Sequence, residues 1–151
     1  YPDEAKTFRL QFVGYDALGD LENRVERYGI HDIVDIIGYK PHTKALEYLV
    51  AADALLLIAQ GRKQDRFIPG KVFEYIGAQK PILAVCNVDD TRNLLQQSKT
   101  AVIVQPQARD VAGAIQALLE DKDRIKAEPG FTRQYERREQ TRRLTQILER
   151  L

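Results

Sequence analysis

The chain has 151 residues, the size of one ordinary domain, and 44% hydrophobic and 30% charged residues; this is too apolar for a disordered tail and large enough to fold without disulfide staples. Lys and Arg number 23 against 22 Asp and Glu, which argues against a protein built mainly to hold duplex nucleic acid, where a basic excess is the rule. A single cysteine, Cys86, excludes an internal disulfide and suits a reducing, cytoplasmic compartment.

Along the chain, apolar runs alternate with helical patterns. Phe8 to Gly14 reads as a strand with a glycine stop, and Leu10, Phe12 and Val13 give it the look of a strand buried on both sides. Leu18, Leu21, Val25 and Tyr28 recur at helical spacing, with Gly29 placed to cap the helix. Ile33 to Gly38 is a second strand. Pro41-His42-Thr43 opens a helix carrying Ala45, Leu46, Leu49 and Val50. Ala54 to Ala59 is continuously apolar, as in a strand covered on both faces. A polar loop, Gln60 to Phe67, leads into a helix over Pro69 to Gln79. Pro81 to Val85 is the fourth strand and Ala101 to Val104 the fifth. Asp89 to Gln97 is the helix between them, with Asp89, Asp90 and Thr91 placed to cap it. Val111, Ala112, Ile115, Leu118 and Leu119 mark a fifth helix, and Phe131 onward reads as one long C-terminal helix, residues 131–151.

This alternation predicts an α/β fold: a doubly wound, Rossmann-like open parallel sheet with helices on both faces and a long C-terminal helix, in one domain over residues 1–151. Ligands of such sheets bind beyond the carboxyl ends of the strands. The loops to watch therefore follow Val13, Ile37, Ala59, Val85 and Val104. No apolar run is long enough to suggest a membrane span, and Tyr1-Pro2-Asp3-Glu4 lacks the basic and apolar parts of a signal peptide. The chain contains no Met, and we expect it to be an excised piece of a longer protein.

The richest stretch runs from Gln60 to Tyr75. A helix start offers unpaired N–H groups and partial positive charge to a phosphate. Gly70 lets the backbone approach a ligand, Lys71 adds a full charge, and Glu74 lies on the same face. A carboxylate there can accept two hydrogen bonds from vicinal ribose hydroxyls. The same residues also make an ordinary i,i+3 surface ion pair, worth a few tenths of a kcal/mol, and physics alone leaves both readings open. His31 and His42 have no partners at metal-ligand spacing, so no metal site is expected. Cys86 has no nearby His and reads as a small apolar residue. Ser98 is the only serine, so no Ser-His-Asp set can be assembled.

An ordered series carries a resemblance: Phe12-Val13-Gly14, Tyr28-Gly29-Ile30, Val34-Asp35-Ile36-Ile37-Gly38-Tyr39, Tyr48 to Leu57, Pro69-Gly70-Lys71-Val72-Phe73-Glu74-Tyr75 and Lys80-Pro81-Ile82-Leu83-Ala84. It resembles the C-terminal, donor-binding domain of GT-B glycosyltransferases, in particular the large retaining group called family four, from about residue 8 to the tail. The resemblance implies a domain that binds a nucleotide diphosphate sugar as substrate, with no separate cofactor. It further implies catalysis only together with an N-terminal domain that holds a glycan, lipid or small-molecule acceptor, in the cytoplasm or, through that domain, at the inner face of a membrane. It puts Glu74 at the donor ribose, Gly70 and Lys71 at the phosphates, Gly38 and Tyr39 at the base and Gly14 near the diphosphate. It assigns no catalytic residue.

One position departs from the family. Where many members carry a glutamate eight residues before the ribose-binding one, near the transferred sugar, this chain has Arg66, in a loop that also holds Arg62 and Lys63. The substitution points to basic residues taking phosphate or an acidic sugar, or to a loop that has lost that role. Two other functions fit the alternation: a non-catalytic nucleotide-binding or assembly domain of the same fold, and a receiver-type signalling module. The receiver lacks its residues here. Gly14-Tyr15-Asp16 offers one Asp, Ala59-Gln60 none, and Val104-Gln105-Pro106 no Lys.

The resemblance also raises a question of sheet order, because the family usually has a central strand ahead of the segment like Phe8 to Gly14. Either residues 8–14 and 54–59 pair directly in a five-stranded sheet, or another segment, from upstream or from a second copy, fills the slot; upstream residues are the favoured expectation.

Overall fold

The computed structural model describes residues 8–61, 65–121, 125 and 130–150. The chain divides into two compact units, residues 1–51 and 52–151. The first holds β1 (Leu10–Val13), α1 (Leu21–Tyr28), β2 (Val34–Gly38) and α2 (His42–Ala51). The second holds β3 (Leu55–Ala59), α3 (Lys71–Gly77), β4 (Ile82–Cys86), α4 (Asp89–Ser98), β5 (Ala101–Val104), α5 (Ala108–Glu120), a 3-10 turn (Thr132–Tyr135) and α6 (Arg137–Leu148).

Every strand pairing is parallel and each strand is followed by a helix, as the alternation predicts. The ladder differs from expectation. β1 pairs with β2 in a two-stranded sheet, and β3, β4 and β5 form a three-stranded one in that order. No further strand is present among the described residues. β1 has one ladder neighbour; Leu10, Phe12 and Val13 are half-buried and Gln11 is exposed.

In the first unit, α1 begins at Leu21 rather than at Leu18. The Asp16 carboxylate accepts hydrogen bonds from the Leu18 amide at 3.1 Å and the Leu21 amide at 2.9 Å, so residues 16–20 form a turn ahead of the helix. These bonds, the one from Leu21 above all, hold the Asp16 carboxyl below its usual range. Gly29 ends α1 in the left-handed region at φ 61°, with its amide on the Glu26 carbonyl, as its position predicts.

In the second unit β4 is buried along its whole length, so both faces of the three-stranded sheet are covered at its middle strand, while Ile58 of β3 is exposed. Leu83 packs with Ala114 and Leu118 of α5, joined by Leu56, Val102, Val104, Val111 and Ile115. Strand alternation sends Leu57, Ile82, Ala84 and Cys86 to the opposite face, and each of these is fully buried. Cys86 is accordingly a core residue. Ser98 and Thr100 are buried with their hydroxyls 2.6 Å apart; Ser98 donates to the Leu95 carbonyl at 2.8 Å and so accepts from Thr100, and neither is left unsatisfied.

Two helices are shorter than their patterns. α3 spans seven residues, Lys71–Gly77. The C-terminal segment is not one helix: the 3-10 turn over 132–135 gives way to extended backbone at Glu136, φ −64° and ψ 134°, before α6 begins.

Candidate functional site

Gly14, Gly38 and Tyr39 belong to the first unit, and Arg66, Gly70, Lys71 and Glu74 to the second, so the expected residues form two groups. In the first, the Gly14 amide, one residue past β1, donates at 2.9 Å to the carbonyl of Gly38, the last residue of β2. Both glycines hold positive φ, 142° and 72°, which side chains resist. Tyr39 follows, with its ring largely exposed at 72%.

The second group is built on the carboxyl end of β3. The chain leaves the sheet at Ala59, and Pro69 and Gly70 lead into α3 at Lys71. Val72 and Phe73 donate their amides to the carbonyls of Pro69 and Gly70, at 2.9 and 3.2 Å. This tight first turn leaves the Gly70 and Lys71 amides as the ones an anion can reach. Gly70 lies at φ −54°, which any residue accepts, and a Cβ built on it meets nothing within 4 Å; the space above it is open. Val72 and Ile76 fix the inner face of α3 in the core, while Lys71 and Glu74 stand exposed on its outer side. Tyr75, half-buried beside them, has its phenol pushed up by burial and then by the negative charge of Glu74.

The loop that precedes α3 is fastened at both ends by residues that sequence reasoning did not assign to it. Asn87 accepts the Gly61 amide on Oδ1 at 3.0 Å and donates Nδ2 to the Gly61 carbonyl at 3.1 Å. Its own amide reaches the Ala59 carbonyl at 3.3 Å. Thr91 Oγ1 donates to the Phe67 carbonyl at 2.7 Å, and Thr91 is fully buried. Arg92 donates to the Cys86 carbonyl at 2.8 Å, tying α4 to the end of β4.

The expected capping role of Asp89, Asp90 and Thr91 is therefore corrected. α4 has Val88 as its N-cap and no side-chain cap bond, and the Thr91 hydroxyl is spent on the loop. Arg62 and Lys63 lie outside the described residues. Arg66 is exposed and, among the described residues, has no hydrogen-bond or ion-pair partner. No group of three His, Cys, Asp or Glu side chains among the described residues is placed to hold a metal ion, and no helix among them is long and apolar enough to cross a membrane.

The model of the family Glycosyl transferases group 1 matches residues 2–121. The chain belongs to that family. Among solved structures, this glycosyl transferase domain is similar to sucrose-phosphate synthase from Thermosynechococcus elongatus, with a TM-score of 0.63 at 24% sequence identity over 83% of the chain. That likeness shows the GT-B type of fold. The group 1 domain spans about a third of the synthase chain, 33%. No curated protein matches it in sequence.

Proposed function

We propose that the chain is the nucleotide-sugar-binding half of a two-domain glycosyltransferase, moving a sugar from a nucleotide diphosphate donor to a hydroxyl acceptor. One observation carries the reading. Lys71 and Glu74 stand three residues apart on the exposed side of α3, the helix that follows β3 in the chain, with the Gly70 and Lys71 amides beside them. Family membership over residues 2–121 supports it.

In this reading the phosphates lie at the Gly70 and Lys71 amides and the Lys71 ammonium, and the ribose hydroxyls donate to Glu74. As the bond from the sugar to the diphosphate breaks, negative charge grows on the leaving oxygen. Cationic groups already in place stabilise that charge more than the ground state, which is how such a site accelerates transfer. The donor is the substrate, and the acceptor is held by a second domain.

The test is calorimetric titration with UDP and GDP. Lys71→Ala and Glu74→Ala are each expected to weaken binding by ~1.5–3 kcal/mol, the range for a charge-assisted hydrogen bond. Unchanged affinity in both variants would remove the site.

A further inference from the structure

Arg66 stands in the loop that leads into α3, and the structure holds the backbone on both sides of it. Before it, Asp65 rests on Gly61: a Cβ built on Gly61 would stand 3.0 Å from Asp65 Oδ2 and 3.3 Å from Asp65 Cβ. Gly61 is in turn held through its N–H and its C=O by the single amide of Asn87. After it, the Phe67 carbonyl is held by the buried hydroxyl of Thr91. A residue on a free loop loses backbone entropy when it binds an anion; an anchored backbone has already lost that part on folding, leaving only the side-chain rotamers to be ordered. Arg66 itself is exposed and, among the described residues, unpaired, so its donors are available.

We propose that Arg66 is a preset receptor for an oxyanion of the donor, and that Thr91 and Asn87 are positioning residues which act through its backbone. The inference rests on the donor-site reading above. The shared ligand chemistry is an oxyanion, supplied by the diphosphate or by the carboxylate of an acidic sugar. A planar fork of N–H donors suits either.

The experiment titrates wild type, Arg66→Ala, Thr91→Val, Thr91→Ser and the Arg66→Ala/Thr91→Val pair with pyrophosphate, UDP, UDP-glucose and UDP-glucuronate, read by calorimetry. Arg66→Ala is expected to weaken pyrophosphate and UDP by about tenfold or more. Thr91→Val should weaken them several-fold, Thr91→Ser should restore them, and the pair should lose little beyond Arg66→Ala alone, since Thr91 acts only through Arg66. If Arg66→Ala affects UDP-glucuronate but neither pyrophosphate nor UDP, the oxyanion is the sugar's. Pyrophosphate, UDP and UDP-glucuronate all indifferent to Arg66→Ala, or losses from Arg66→Ala and Thr91→Val that simply add, would overturn the proposal. Pyrophosphate binding that depends on Arg66 but gains nothing from the attached nucleoside would leave the receptor standing and remove the nucleotide reading instead.

Discussion

The ring of Tyr135 lies 5.3 Å from that of Phe73, centroid to centroid, at an interplanar angle of 46°. Phe131 adds a second tilted contact to Tyr135 at 5.4 Å. The 3-10 turn is thereby fastened to α3, the helix that carries Lys71 and Glu74. Tilted aromatic pairs contribute about 0.5–1.5 kcal/mol beyond their area. Tyr135→Ala should therefore lower stability by at least that amount and raise amide exchange across 132–135 and in α3 together. Exchange that rises in the turn alone would show that α3 does not depend on this contact.

The Asn87–Gly61 pair gives a second outcome. Asn87→Ala removes two hydrogen bonds to a half-buried backbone, an expected cost of ~1–3 kcal/mol in urea unfolding. The Gly61 amide should lose its protection from exchange at the same time. Full protection of that amide in Asn87→Ala would mean the loop is held by something else.

Glu139 is the group with the clearest pH signature. Hydrogen bonds from Arg142, at 2.6 and 2.8 Å, and from Arg143, at 3.0 Å, lower its carboxyl to about 2. Its folded value lies below its unfolded one, so its support for α6 is complete above the ordinary carboxylate range and disappears as pH falls from about 4.5 toward 2. A Glu139→Gln chain should show a flatter loss of α6 helicity, read from backbone carbon shifts, through that window. Identical profiles for the two chains would contradict the assignment.

Transfer by this chain alone is expected to be negligible. Positioning of both reactants contributes much of the rate of such reactions, and the proposal gives this chain only the donor. Incubation with a nucleotide sugar and candidate hydroxyl acceptors should yield no glycoside above the uncatalysed rate. Clear turnover would show that the acceptor site lies within these residues.

Much of this was legible in the sequence because strand and helix patterns are local. Pro81 to Val85 has no polar interruption, and the structure buries β4 along its length; Ala54 to Ala59 reads the same way, but β3 has β4 as its one ladder neighbour among the described residues and Ile58 is 55% exposed, so its expected cover on both faces is corrected. Gly29 announced the end of α1 by its position alone. What escaped depends on distant partners. Thr91 at a helix start looks like a cap, and nothing local says that its hydroxyl is spent 24 residues away on Phe67. Asn87 likewise serves Gly61, 26 residues distant. The break at Glu136 is invisible to periodicity, since the apolar spacing of Phe131 and Tyr135 continues through the 3-10 turn.

The central claim, that the donor diphosphate and ribose sit on α3 and the loop before it, is tested most directly by amide chemical-shift mapping during a UDP titration. The account predicts saturable shifts concentrated at residues 65–77, with Gly70 and Lys71 largest and strongly reduced in Glu74→Ala. Shifts concentrated on α6, residues 137–148, or an unchanged pattern in Glu74→Ala, would contradict it.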